Sequence, residues 1–236
     1  MPHANASSAH TPSAPAADIQ HHPAVEEYLE TIFHLEEAQV PAMRARLVER
    51  LGVSAPAVSE QIKRLEREGY VRLTGERTVT FTPEGRSYAT AIVRRHRLAE
   101  CLLVDVLGLP WHQVHVEAGQ LEHAISPVLE ERLATVLGDP VTCPHGNPIP
   151  GSKRPYSPGP MRALTDLPVG GTSTIIRLEE DLQADHEMLM TLQNAGAVPG
   201  AKVEVEARDG SVLRFRAPDG VVELSIDAAA GVRVKR

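Results

Sequence analysis

The chain predicts an α+β protein of several domains, and three observations carry that reading. Apolar residues recur at helical spacing through most of residues 25–137, and they alternate at strand spacing through much of residues 172–236. Between the two regimes lies DPVTCPHGNPIPGSKRPYSPGP, residues 139–160, dense in Pro and Gly. A chain of 236 residues folds more naturally around two or three modest cores than around one. The expected organisation is an N-terminal arm over 1–22, domains over 23–90, 91–140 and 161–236, and a tether over 141–160.

Residues 1–22 are rich in Ala, Ser, Pro and His without a hydrophobic period, the composition of a disordered arm, so His21 and His22 read as part of a solvated tail. The first helix follows, with Val25, Tyr28, Leu29, Ile32, Phe33 and Leu35 in helical phase. Arg44 to Leu51 repeats the pattern and stops at Gly52. Ser54 and Pro56 then open a third helix that carries Val58, Ile62 and Leu65 and ends near Gly69. Helix, short Gly-containing turn, helix is the pattern of a helix-turn-helix DNA reader. Next, VRLTGERTVTFT alternates and turns at Thr74 to Arg77, which predicts a two-stranded wing and makes the segment a winged helix-turn-helix.

Pro83 starts a long helix expected to run to about Leu107, followed by helices over His112–Ser126 and Pro127–Leu137. Their apolar faces exceed what one small all-α domain needs, which points to a homodimer surface and, with it, a palindromic double-stranded DNA target. Beyond the tether, TSTIIRL, KVEVEA, SVLRFRA, VVELSI and GVRVKR read as five short strands, with one helix around Asp185 to Asn194. A small β-barrel fits them.

The net charge of −7 argues against nucleic-acid binding until it is divided along the chain. Residues 41–97 hold 12 Lys/Arg against 6 Asp/Glu, a net of +6, which leaves −13 for the rest. A basic segment in an acidic protein attracts phosphate locally without general stickiness, and its affinity falls steeply with salt. Only Cys101 and Cys143 are present, too few for a disulfide framework and in keeping with a reducing cytoplasm. MPHANASSAH has no secretory pattern, and the longest apolar stretch, Cys101 to Leu109, is broken by Asp105, so neither a signal peptide nor a membrane span is expected.

Glu27, His96 with Glu100, His115, and Glu122 with His123 all fall in segments that read as helix. Nitrogen and oxygen donors at such spacing suit a divalent metal ion, and a metal beside a DNA reader implies metal-controlled transcription. The absence of HExxH, GxSxG and a phosphate loop weighs against the rival class, a metal-dependent hydrolase, and nothing points to a small organic substrate.

MRARLVERLGVSAPAVSEQIKRLEREG for the reader, VRRHRLAECLLVDVLGLPW and VHVEAGQLEHAIS for the helical domain, and HGNPIPG for the tether occur in this order. With them the chain resembles the diphtheria toxin repressor family of iron- and manganese-dependent regulators, from Val25 to the C-terminus. The resemblance implies an SH3-like last domain and two metal ions per subunit. The ancillary ion falls on His96, Glu100 and His115, with Glu180 and Gln183 from the SH3-like domain. The primary ion falls on Glu122 and His123, on Glu27 where iron-responsive members carry Met, and on Gly119 where they carry Cys. Losing both sulfur donors leaves carboxylate, imidazole and the Gly119 carbonyl, a harder shell that suits Mn(II), with Fe(II) next. Manganese-responsive relatives usually have a carboxylate at the Gly119 position, so water or Glu30, one turn beyond Glu27, is expected to fill that place. His34, His112, His145 and His186 read as ordinary surface or core residues.

The resemblance also places Ser54, Pro56, Ala57, Ser59 and Glu60 on the face turned to the major groove, and Arg44, Arg64, Arg67 and Arg77 against phosphates. Ser54 doubles as a helix cap. Relatives that read iron boxes have Gln where Glu60 stands, and a carboxylate prefers the cytosine amino group, so a different operator is expected. One ion shared by Glu27, Glu122 and His123 would tie helix one to the dimer scaffold and set the reader's position.

Overall fold

A computed structural model describes residues 23–75 and 77–236 of the chain. The expected arm over 1–22, with His21 and His22, lies outside the described residues.

Helix α1 (Pro23–Glu37) buries Val25, Leu29, Ile32 and Leu35 against α2 (Arg44–Leu51) and α3 (Ala55–Arg67), which contribute Leu47, Val58, Ile62 and Leu65. The reader's turn is set by Gly52 in the left-handed region at φ 65° and by Ser54, whose hydroxyl accepts from the Ala57 amide at 3.4 Å. A cap of this kind contributes about 1 kcal/mol. Strands β1 (Val71–Leu73) and β2 (Val79–Phe81) pair antiparallel as the wing. The turn between them closes with the Arg77 amide donating to the Thr74 carbonyl at 2.9 Å.

Helix α4 (Pro83–Cys101) gives Tyr88 and Ile92 to the reader's core and Ala99 to the next one. A boundary at residue 90 therefore falls inside a continuous helix, and the reader is joined to its neighbour by a rigid rod. The expected long helix changes to a π turn at Leu102–Val106. The expected second helix resolves into a 3₁₀ turn (Trp111–Gln113), α5 (Val114–Leu121) and a second 3₁₀ turn (Glu122–Ala124). These short turns let the chain reverse twice over a small core of Ala99, Leu103, Val114, Ala118, Ile125 and Leu133. Helix α6 (Pro127–Val136) is capped by Ser126 and leaves Val128 and Val136 exposed, at 74% and 69%.

The tether is pinned rather than loose. Gly146 sits at φ 86°, where an added Cβ would stand 2.1 Å from the Ile176 carbonyl oxygen. Only glycine lets the two backbones approach so closely. Asn147 Nδ2 donates to the Leu178 carbonyl at 2.8 Å.

The last domain has one more strand than expected. β3 (Met161–Ala163), β4 (Thr172–Leu178), β5 (Lys202–Asp209), β6 (Val212–Ala217), β7 (Gly220–Ser225) and β8 (Val232–Lys235) form an antiparallel sheet in the order β3-β8-β4-β5-β6-β7. Register shifts in β4 and β5 curl it. The sheet wraps Ile175, Val203, Val205, Leu213, Phe215 and Val232, with Leu189 and Leu192 of α8 (His186–Asn194) and Ala229 of α9 (Ile226–Ala230) packed in. This is the SH3-like barrel. The four-residue helix α7 (Glu180–Gln183) carries it toward the other two domains.

Candidate metal centre and DNA-reading face

Helix α1 presents Glu27, Glu30 and His34 along one side, because residues three and four apart stack on a helix surface. They border a cleft of about 1180 Å³, which His96, His115, Gly119, Glu122, His123 and Glu180 also line. Helix α4 supplies His96 and Glu100 four residues apart, α5 supplies His115, and the following turn supplies Glu122 and His123.

Among the described residues four donor groups draw together in and around this space, the last of them His34, Glu37 and Glu180. Glu30, His96 and Glu122 form the first, with His96 Nδ1 at 2.6 Å from Glu122 Oε2 and 3.7 Å from Glu30 Oε1. His96, His115 and Glu180 form the second: His96 Nε2 lies 3.1 Å from His115 Nδ1, which lies 3.6 Å from Glu180 Oε2. Glu100, Cys143 and His145 form the third, fully buried beneath the second, with His145 Nδ1 at 3.0 Å from Glu100 Oε1.

Of the residues expected at the primary position, Glu122 is therefore central, whereas Glu27 is exposed at the rim and His123 is bonded through Nδ1 to Glu26. Glu26 also accepts from the Tyr88 hydroxyl at 2.6 Å. Glu30, expected as the substitute ligand, sits in the first group. Gly119 borders the cleft. Of the ancillary set, His96, Glu100, His115 and Glu180 converge. Gln183 is buried beside them, with Nε2 donating to the Leu178 carbonyl and Oε1 unpartnered.

Two of the histidines read as ordinary belong to this region: His34 Nε2 is 3.4 Å from Glu180 Oε1, and His145 stacks near Trp111 at 4.6 Å between ring centroids. The Cys-x-His spacing in the tether was the available signal for His145. His112 and His186 lie together elsewhere, with His112 Nδ1 at 2.7 Å from Gln193 Oε1.

Burial and mutual charge move several of these groups away from their usual ranges. Burial, with Glu122 adding to it, pushes Glu30 up to about 8. Burial opposes charging of His96, but hydrogen bonds accepted by Glu100 and Glu122 overcome it and hold the ring well above the usual imidazole range. Burial likewise acts to raise Glu100, and His145, His115 and His96 outweigh it and keep this carboxyl low. At Glu180 burial is outweighed by His34 and by the Arg97 guanidinium at 2.8 Å. Burial pushes His34 down to about 3 and raises the Cys143 thiol well above its usual range, with Glu100 adding to it.

Protein groups alone do not satisfy the cluster. Glu30 Oε1, His34 Nε2, Glu100 Oε2, His145 Nε2, Glu180 Oε2 and Gln183 Oε1 are buried without hydrogen-bond partners, although buried polar atoms are nearly always paired. A divalent ion, which takes carboxylate, imidazole and amide donors together, fits that deficit.

On the opposite side of α3, Ser54, Pro56, Ala57 and Glu60 are exposed and Ser59 is half-buried, so this helix offers a polar face outward while Val58 and Ile62 hold it to the core. Arg67 and Arg77 flank it in solvent. Arg64 is half-buried and donates to Glu68 at 2.7 Å, and Arg44 is half-buried with an unpartnered Nε. Arg77 holds a left-handed conformation at φ 60° in the wing turn.

A winged reader, a helical scaffold with a polar donor cluster and an SH3-like barrel that reaches into the cluster together define the class of metal-dependent DNA-binding regulators. Residues 22–79 match the iron dependent repressor N-terminal DNA binding domain, 82–151 the metal binding and dimerisation domain, and 162–236 the diphtheria toxin repressor SH3 domain. The iron-dependent repressor IdeR of Mycobacterium tuberculosis is 42% identical over 221 residues, 89% of this chain and 96% of its own length. The diphtheria toxin repressor of Corynebacterium diphtheriae is 40% identical over 220 residues, 89% and 96% of the two chains. A solved manganese-dependent transcriptional repressor in complex with manganese superposes with a TM-score of 0.77 at 38% identity, over 89% of this chain and 98% of its own. The chain belongs to the diphtheria toxin repressor family. It is a metal-dependent, DNA-binding repressor and not an enzyme, with a DNA-binding domain and a dimerisation domain. No helix among the described residues is long and apolar enough to cross a membrane.

Proposed function

We propose that the protein is a cytoplasmic, manganese-responsive repressor of metal-transport genes that binds a palindromic operator as a homodimer. The observation that carries the choice of ion is the first donor group, in which Glu30, His96 and Glu122 meet without a sulfur atom. Glu27, His123 and Gly119 border the same cleft, and with the Gly119 carbonyl they would complete an oxygen-rich shell. The second position takes His96, Glu100, His115, Glu180 and Gln183. His96 stands between the two, with Nδ1 toward the first and Nε2 toward the second.

A bound ion supplies the positive charge that lets these carboxylates approach. Glu27 and Glu30 belong to α1, while His96 and Glu122 belong to the scaffold behind the reader. Gathering them in one shell fixes α1, and with it α2 and α3, against α4. The arrangement needs to favour the DNA-competent position by only about 1 to 3 kcal/mol, and operator DNA must tighten metal binding by the same amount. Outward from α3, Ser54, Pro56, Ala57, Ser59 and Glu60 meet bases, while Arg44, Arg64, Arg67 and Arg77 meet phosphates.

Iron is the second reading, favoured by the Cys143 thiol in the third group and by the iron-dependent names of the sequence relatives. Transcript levels of metal-transport genes after Mn(II) or Fe(II) addition, in cells with and without this protein, separate the two. Repression by manganese that vanishes with the protein is the expected result; a response to iron alone replaces manganese by iron, and a response to neither ends the proposal. Because Glu27 is exposed, Glu27→Ala should leave fold and dimer intact while removing the metal-stimulated retardation of operator DNA in gels.

A further inference from the structure

Two imidazoles of the polar cluster, His34 and His145, are not used by the two positions above, and of these His34 belongs to the reader's first helix. His34 lies one turn beyond Glu30 on α1, with its side chain 11% exposed. Its Nε2 has no hydrogen-bond partner, yet it stands 3.4 Å from Glu180 Oε1 and 4.0 Å from Glu30 Oε1. A histidine in an ordinary core bonds through its ring nitrogens. Here the nitrogen instead faces two carboxylates with no bond formed to either.

Glu180, with its side chain 8% exposed, shows the same deficit from the other side. Its Oε1 is held by Arg97, whereas Oε2 is unpartnered and points toward His115 Nδ1 at 3.6 Å. Three unpartnered polar atoms, from Glu30, His34 and Glu180, thus border one space between α1 and α7. Imidazole, imidazole and carboxylate already converge there as His96, His115 and Glu180. His34 gathers with Glu37 and Glu180 in a neighbouring group, so the two sets share Glu180.

We propose that His34 is a ligand of the second ion, joining His96, His115 and Glu180, so that this ion fastens the first helix of the reader to the SH3-like domain. The inference rests on the reading of a second ion between α4, α5 and α7. It gives that ion a direct hold on the reader, where His96, Glu100, His115, Glu180 and Gln183 alone reach only the scaffold and the barrel. Both ions then act on α1, through Glu30 at one turn and His34 at the next.

Titration of the full-length protein with Mn(II), following the resonance of free hexaaqua Mn(II), counts the ions and gives a Kd for each. The wild type is expected to bind two ions, and His34→Gln and His115→Ala are each expected to weaken one of them by roughly tenfold or more, the scale of losing a group that tunes a metal site. Unchanged Kd values in H34Q, alongside a weakened ion in H115A, overturn the role of His34 and leave the second ion standing. One ion in the wild type, insensitive to H115A, overturns the second ion and the inference with it. If H34Q fails to fold, wild-type protein labelled with ¹⁵N-histidine and loaded with ¹¹³Cd(II) carries the test. A cadmium coupling to the His34 ring nitrogen supports the inference, and its absence overturns it.

Discussion

At the scale of single residues, adjacent carboxylates on α1 divide the labour. Glu26 is buried and holds Tyr88 and His123, Glu27 is exposed at the rim, and Glu30 is inside facing Glu122. The pairing of Glu30 with the cleft was legible from its helical phase with Glu27. The hold of Glu26 on His123 was not, because neighbours in a helix point about 100° apart and only the rotation of α1 against Tyr88 decides which one faces the ring. Glu30 makes a pH signature available. Its carboxyl keeps a proton up to about 8 in the fold, against 4.5 when solvated, so its contribution to stability is present at acid pH and lost as pH rises through that window. Glu30→Gln mimics the protonated form and avoids the loss. Thermal melts of chelator-treated protein should therefore show the variant gaining on the wild type between pH 5 and pH 8; a constant difference would contradict the buried carboxyl.

At the scale of elements, caps and periodicity located α1, α2, α3, the wing and the start of α4, since Ser54, Gly52 and Pro83 act locally. Shorter pieces were less legible. β3 has three residues and gains its identity only by pairing with β8, and the π turn at Leu102–Val106 departs from the helix without a breaking residue in the sequence. Helix α7 was not expected as an element, Glu180 and Gln183 being named only through the family resemblance, and its approach to Arg97 and Arg50 is a product of tertiary packing. The reading face makes a quantitative expectation possible. Arg67 and Arg77 are exposed beside α3, so replacing each by Ala should lower the salt slope of operator affinity by about 1 without changing which sequence is preferred. A slope unchanged in the double variant, measured by fluorescence anisotropy across salt concentrations, would remove both from the phosphate contacts.

At the scale of the whole molecule, the described residues form four apolar clusters, and polar groups add links between the domains. Arg97, fully buried on α4, bonds Glu37 of the reader, the Pro148 carbonyl of the tether and Glu180 of the barrel, and Arg50 of α2 pairs with Asp181. Removing one member of such a group strands the others' charges, so each of these contacts holds neighbouring domains together. The helical domain leaves Val106, Val116, Val128 and Val136 exposed, which a homodimer would cover. Val128→Asp with Val136→Asp should shift sedimentation from dimer toward monomer and weaken operator binding at low concentration; a dimer that persists in the double variant would move the interface elsewhere. Anomalous diffraction at the manganese edge, from crystals grown with Mn(II), tests the central claim most directly. The account expects a peak bounded by Glu30 and Glu122, joining the reader's first helix to the scaffold. Peaks confined to other places, with both carboxylates turned to solvent, would contradict it.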